Sequence, residues 1–203
     1  MEIKMVHIFG GGTVNYVRNH LALCAPAYGG TAKYLYQLFK QIDPNYPVQL
    51  HLTRMANSAS GMETNAHVAS WLDELLAQPE TRAIVFNVAL CDFDGQIGDV
   101  PSGKYAQRLK SREGELVMRL TPADKLLQRV KARRPDVKLV GFKTTAGATF
   151  EEQLRLAERQ LSETGTDWVF ANDTVTRENH LVSLTGSKHG TRENLLGFLA
   201  NSL

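Results

Sequence analysis

No apolar run in this 203-residue chain approaches the roughly 20 residues that a membrane helix needs, so a spanning helix is excluded. Cysteine is scarce. Cys24 and Cys91 are the only two, and they lack metal-ligand spacing. That excludes a thiolate zinc site and a disulfide framework, and reads as cytosolic thiols. Neither charge sign is in excess. Lys plus Arg number 23 against 21 Asp plus Glu, a net charge of +2, too small for a nucleic-acid footprint or a polybasic membrane anchor. There is no internal repeat and no low-complexity tract. The first residues carry one Lys and then a strand-like segment without a cleavage pattern, so the expected location is the cytoplasm.

What is present is ordinary globular composition, 43% hydrophobic and 22% charged, in a length that suits a single domain over 1–203. An apolar run from Ile3 ends in Phe9-Gly10-Gly11-Gly12-Thr13. A strand that closes in glycines is a usual way for an α/β protein to bring backbone amides against a phosphate, because a residue without Cβ permits a tight turn and close approach.

Further strands are expected over 48–53, 83–90, 116–120, 138–143, 168–171 and 180–184. Helices are expected from an N-cap at Thr31 to Ile42, over 63–76 and 122–133, from a cap at Thr149 to Leu161, and over 192–203. The stretch 10–30 reads as a long loop. The stretch 92–115, with four glycines and a proline among many charges before Glu115, reads as an excursion or flap. The alternation of strands and helices predicts one doubly wound, mostly parallel α/β sheet of Rossmann-like type, with helices on both faces and a flap or dimerisation excursion around 94–119. Ligands of such sheets sit at the carboxyl ends of the strands, which here are Gly10–Thr13, Arg54, Asp92, Phe142–Lys143 and Asn172–Asp173.

A dinucleotide-binding oxidoreductase is the first function to test. The pattern G-x-G-x-x-G fails at Asn15, and the second strand ends near Arg54 rather than at a ribose-holding acid. Arg54 could accept a 2′-phosphate, which leaves an NADP-dependent enzyme as an alternative. A Walker loop is excluded, because no Gly-Lys-Ser/Thr follows the glycines.

The segments Gly11-Gly12-Thr13, Ala89-Leu90-Cys91-Asp92-Phe93, Val140-Gly141-Phe142-Lys143 and Ala171-Asn172-Asp173 fall in the order and at intervals similar to one family. The chain resembles phosphopantothenoylcysteine synthetase (phosphopantothenate–cysteine ligase), the second domain of the bacterial pantothenate flavoproteins, over nearly its whole length and as a stand-alone form. The resemblance implies a homodimeric, cytoplasmic ligase of coenzyme A biosynthesis. Its co-substrate would be CTP, or ATP in some members, with Mg²⁺. Such a ligase activates the carboxylate of 4′-phosphopantothenate to an acyl-nucleotidyl intermediate, which the amine of cysteine then converts to an amide.

The resemblance also implies site residues. Gly10, Gly11, Gly12, Thr13, Ala89, Asp92, Phe142, Lys143, Asn172 and Asp173 would form the nucleotide site. Arg108 and Lys110, in Arg108-Leu109-Lys110-Ser111, stand where members carry Lys-Ile-Lys/Ser. Arg is a planar fork and Lys a point charge, so the charge is kept and the geometry is not. Arg18, Asn19 and His20 match an Arg followed by an Asn-His element that handles the acyl substrate, but the Ser-Gly run after it is absent. Aligning instead on Gly29-Gly30 puts Leu23 and Cys24 at that element, and the sequence leaves both alignments open. A same-fold enzyme or binding protein with a changed acyl substrate is the second reading. Arg155 and Arg159 are expected to pair with Glu151, Glu152 and Glu158 on a helix face, and Cys24 and Cys91 to serve as small hydrophobes.

Overall fold

The computed structural model describes residues 4–203. The chain opens with β1 (Met5–Gly12), a short hairpin of β2 (Val14–Arg18) and β3 (Leu21–Cys24), α1 (Gly30–Ile42), β4 (Val48–Leu52) and α2 (Asn65–Leu76). It continues with β5 (Thr81–Ala89), β6 (Phe93–Ile97), β7 (Met118–Pro122), α3 (Leu127–Arg133), β8 (Lys138–Thr145) and α4 (Phe150–Thr164). It closes with β9 (Trp168–Asp173), β10 (Asn179–Ser183), β11 (Gly186–His189) and α5 (Arg192–Ser202).

The main sheet has 7 strands in the order β11-β10-β9-β8-β5-β1-β4. β4, β1, β5, β8 and β9 are parallel, and β10 and β11 add an antiparallel edge. The parallel strands therefore run second-first-third-fourth-fifth across the sheet, one of the two common doubly wound orders. Alternate residues feed opposite cores, as the period of two requires. Val6 and Ile8 of β1 and Ala83 and Val85 of β5 pack with α1 and α5. Phe9, Ile84 and Phe86 point the other way, against α2 and α3. α4 covers Val169 and Ala171 of β9 on that second face.

Local chemistry explains the ends of the helices. Thr64 caps α2 and Thr149 caps α4, each in a reciprocal capping box, with His67 and Glu152 as the returning side chains. α1 differs from the expectation. Its N-cap is Gly29 at φ 72, a left-handed conformation that glycine adopts without a Cβ penalty, and Thr31 lies inside the helix.

One further expectation is corrected and one gains detail. The stretch 10–30 is not a loop, because β1 runs on through all three glycines and the β2–β3 hairpin follows. The excursion holds a strand pair, β6 antiparallel to β7, with the register Phe93↔Pro122 to Ile97↔Met118. The hairpin packs on this arm, and a Cβ at Gly95 would meet Val17 Cγ2 at 2.8 Å.

Candidate active site

The glycines after Phe9 are held by the sheet. Gly10, Gly11 and Gly12 pair with Asn87, Val88 and Ala89 of β5, the Thr13 amide donates to the Ala89 carbonyl at 3.0 Å, and the Gly10 carbonyl accepts the Thr53 amide at 2.9 Å. Their missing Cβ atoms make room for neighbours rather than for a ligand. A Cβ at Gly10 would stand 2.3 Å from Ala32 Cβ, and one at Gly12 1.9 Å from the Ala25 carbonyl oxygen. All three glycines and Thr13 are buried. The expected open phosphate cradle at Gly10–Thr13 is thus corrected to a packing seam, where α1 and the 25–27 segment press against the sheet. Thr13 Oγ1 donates to Asn65 Oδ1 at 2.6 Å and accepts the Cys91 amide at 2.8 Å.

The glycine that does face open space is Gly30, where a Cβ would meet nothing within 4 Å, whereas Gly29 before it is buried. A cleft of about 910 Å³ lies along the carboxyl ends of β5, β8 and β9, and Gly29, Gly30 and Thr31 at the start of α1 form one rim. Its floor includes Ala89, Leu90, Phe142 and Asn172, and its far wall is made by α3 and α4. The volume falls in the range of small-ligand sites, at the place in an open α/β sheet where ligands bind. Phe142 stacks on Phe170 with ring centroids 5.5 Å apart, which fixes an aromatic surface on the floor. Asn172 Oδ1 accepts the Thr144 hydroxyl at 3.0 Å, so its amide group is held in one orientation.

Four cations line the cleft: Lys125, Lys143, Arg159 and Arg192. Lys125 pairs with Asp92 at 2.6 Å, Arg159 Nε with Glu163 at 2.6 Å, and Arg192 donates to the Thr31 hydroxyl. The expected partners of Arg159 at 151, 152 and 158 are replaced by a glutamate one turn downstream. Lys143 makes no ion pair with any described residue. Gln160 also lines the wall, and its buried Nε2 has no hydrogen-bond partner among the described residues.

Of the predicted site residues, the cleft gathers Ala89, Asp92, Phe142, Lys143 and Asn172. Asp173, beside them in sequence, is turned away to a structural task. Burial opposes ionisation of its carboxylate, but amides of Thr176, Gly147 and Ala148 and the Thr145 hydroxyl donate to it and hold it well below the usual carboxylate range. Arg18 is buried in the β2–β6 junction, where its guanidinium donates to the carbonyls of Val17 at 2.6 Å and Ile97 at 2.5 Å. Asn19 is exposed, with Nδ2 donating to the Lys104 carbonyl at 3.4 Å. Arg108 and Lys110 are exposed on the arm. None of these four lines the cleft of its own chain.

Beside the arm, Glu63 ties two groups together. Lys104 Nζ donates to its Oε2 at 2.6 Å and the Tyr16 hydroxyl to its Oε1 at 2.7 Å. The lysine lowers the Glu63 pKa despite burial, and the carboxylate in turn raises that of the Tyr16 hydroxyl.

Sequence reasoning missed Gly29–Thr31, Gln160 and Arg192. The Gly29-Gly30-Thr31 run was visible, but it lost to the earlier glycines because strand register cannot be read from a single Gly-rich turn. Gln160 and Arg192 come from helices distant in sequence and carry no local signal.

The model of the DNA/pantothenate metabolism flavoprotein C-terminal domain matches residues 49–191. The chain belongs to this family. It is 42% identical over 132 residues to the coenzyme A biosynthesis bifunctional protein CoaBC of Thermococcus kodakarensis, which covers 61% of this chain and 31% of that protein. The chain thus spans less than two thirds of the curated relative it matches. Among solved structures, the DNA/pantothenate metabolism flavoprotein from Streptococcus pneumoniae aligns with a TM-score of 0.82 at 17% identity, over 98% of this chain and 97% of that one. A Cab2 mutant in complex with phosphopantothenate-cysteine aligns with a TM-score of 0.66 at 15% identity, over 98% and 85%. At these identities the two structures establish the shared fold of the DNA/pantothenate metabolism flavoprotein C-terminal domain.

Proposed function

We propose that this chain is a nucleotide-dependent ligase of coenzyme A biosynthesis that joins 4′-phosphopantothenate to cysteine. Its family membership together with the cationic cleft at the strand ends carries this reading. In the first step a carboxylate oxygen of phosphopantothenate attacks the α-phosphorus of CTP, or of ATP, and the bond to the β-phosphate oxygen breaks. Pyrophosphate leaves and an acyl-nucleotide remains. In the second step the cysteine amine, having lost its proton, attacks the acyl carbon. The amide forms and the nucleoside monophosphate departs.

The residues suit the charge that must be managed. Lys143, with Arg159 and Arg192, offers cations to the triphosphate, and the amides at Gly30 and Thr31 at the N-terminus of α1 offer donors. Phe142 is placed to meet a base by the face of its ring. Asp92 and Glu163 are the carboxylates of the cleft, and each already pairs with a cation. Asp92 would be the residue to hold a Mg²⁺ ion carried by the nucleotide, and the ion would neutralise charge on the triphosphate. Gly10–Thr13 serve by holding β1 against β5 and α1.

A homodimer formed through the arm completes the proposal. Tyr105 is 90% and Val117 80% exposed, beside half-exposed Phe93 and Leu120, an apolar surface suited to a second copy. Arg108 and Lys110 ride on the same arm, so pairing of two chains would carry them toward a partner's cleft.

The burial of Arg18 favours a second reading, with the same nucleotide chemistry but a different acid. A guanidinium committed to two backbone carbonyls cannot also clamp a substrate phosphate or carboxylate without breaking those bonds. The test is pyrophosphate release from CTP or ATP with phosphopantothenate and cysteine, followed by a panel of other carboxylates. Release with phosphopantothenate supports the first reading, and release only with another acid supports the second.

A further inference from the structure

At the antiparallel edge of the sheet, on the α4 face, three potential metal ligands converge. His180 of β10 lies directly opposite His189 of β11 in the ladder. Cross-strand partners have Cβ atoms roughly 5 Å apart on the same face. Glu178 immediately precedes β10, two residues before His180. The register places the two imidazoles together, and the segment entering β10 brings the carboxylate beside them. One ligand atom from each lies within 4.8 Å of the others. His189 Nε2 and Glu178 Oε2 are 2.5 Å apart.

His180 is the unusual member. It is 0% exposed, yet neither ring nitrogen has a hydrogen-bond partner among the described residues. An unpartnered buried polar group costs about 1–3 kcal/mol, and native structures rarely leave one without a compensating ligand. The ring is held by packing: Phe150, the first residue of α4, meets it edge-on at 4.6 Å and meets His189 at 5.8 Å. Burial, with the neighbouring His189, lowers the His180 pKa, which keeps the ring in the neutral form that binds metals.

We propose that Glu178, His180 and His189 bind a first-row transition cation, with Zn²⁺ as the chemical match and a water as fourth ligand. Two imidazoles and a carboxylate form a borderline N/O donor set that suits zinc. Mg²⁺ prefers an all-oxygen shell, so this site is separate from any ion carried by nucleotide phosphates. Zinc bonds of about 2.0–2.1 Å place tetrahedral ligands about 3.3 Å apart. The half-exposed side chains of His189 and Glu178 can close to that spacing while His180 stays fixed. His180 pairs in register with Ala171, next to the cleft residue Asn172, so the ion would clamp the β10–β11 hairpin beside the end of β9. None of the three ligands lines the cleft, so the site stands apart from the proposed ligase chemistry.

The test uses untagged full-length protein stripped with a chelator and titrated with Zn²⁺ against a chromophoric competitor. The expected result is one Zn²⁺ per chain and a rise in melting temperature with the metal. His189→Ala and Glu178→Gln, both at accessible positions, are expected to bind at least about 10-fold more weakly, since even outer-shell deletions cost that much, and to lose the thermal shift. His20→Ala, in an exposed turn, is expected to bind as the wild type does. Wild-type affinity no higher than that of His189→Ala, or an equal loss in His20→Ala, would overturn the assignment.

Discussion

The Thr13 hydroxyl donates to Asn65 Oδ1 at 2.6 Å while accepting the Cys91 backbone amide at 2.8 Å. One buried oxygen thereby ties the end of β1 to the first turn of α2 and to the chain leaving β5. Thr13→Val leaves the Asn65 oxygen short of a donor and weakens the hold on the Cys91 amide. We expect a stability loss of about 1–3 kcal/mol by urea unfolding. Nucleotide affinity of the folded variant should stay close to wild type by calorimetry, because Thr13 does not line the cleft.

The two glycine groups should respond oppositely to a methyl group. In Gly12→Ala the new Cβ meets the Ala25 carbonyl oxygen at 1.9 Å, and the fold should lose upward of about 3 kcal/mol or fail to accumulate. A Cβ at Gly30 meets nothing within 4 Å, and Gly30→Ala should fold normally. Its methyl group stands at the rim of the cleft, so nucleotide binding should weaken. Paired melting and binding curves check both expectations.

His7 and His51 should make the protein acid-sensitive. Their rings are 3.0 Å apart, nitrogen to nitrogen, and Trp71 Nε1 donates to His51 Nδ1 at 2.8 Å. Burial pushes His7 down to about 4, with Glu80 opposing, and burial followed by the charge of His7 pushes His51 to about 4. The unfolded chain takes up protons near pH 6.5, whereas the folded chain resists them until about pH 4. Stability is therefore full above pH 6.5 and is lost as the pH falls from there to about 4. For fully buried His7 alone the loss is on the order of 3 kcal/mol. Denaturant unfolding at a series of pH values reads this slope, and NMR titration of either ring near 6.5 would contradict it.

Lys143 is the cleft cation for which no hydrogen bond or ion pair is seen among the described residues, so its charge is available to a polyphosphate. Lys143→Met should weaken nucleotide binding about tenfold or more, with little change in melting temperature, because a charged hydrogen bond contributes roughly 1.5–3 kcal/mol. The mutant should also lose much of the salt dependence of binding.

Much of this architecture was legible from hydrophobic periodicity. The buried parallel strands read as continuous apolar runs, and α4 announced itself through Thr149 and Glu152. The ends of β5, β8 and β9 delivered Ala89, Asp92, Phe142, Lys143 and Asn172 to one cleft, as topology requires. What misled was glycine. Gly10–Gly12 and Gly29-Gly30 look alike in sequence, yet the first set is closed by tertiary neighbours from Ala25 and Ala32, Gly29 is closed by Leu52 and Ala56, and only Gly30 faces space. β6 and β11 were hidden because glycine and charge obscure their alternation. The pairing of His180 with His189 depends on a hairpin register that no local pattern encodes.

The most direct test of the central claim is pyrophosphate release by the purified chain given CTP or ATP, Mg²⁺, 4′-phosphopantothenate and cysteine. The account predicts stoichiometric formation of pyrophosphate and the amide product, dependent on both substrates and diminished in Lys143→Met. Tight nucleotide binding with no pyrophosphate from any carboxylate would contradict it and leave a nucleotide-binding protein without turnover.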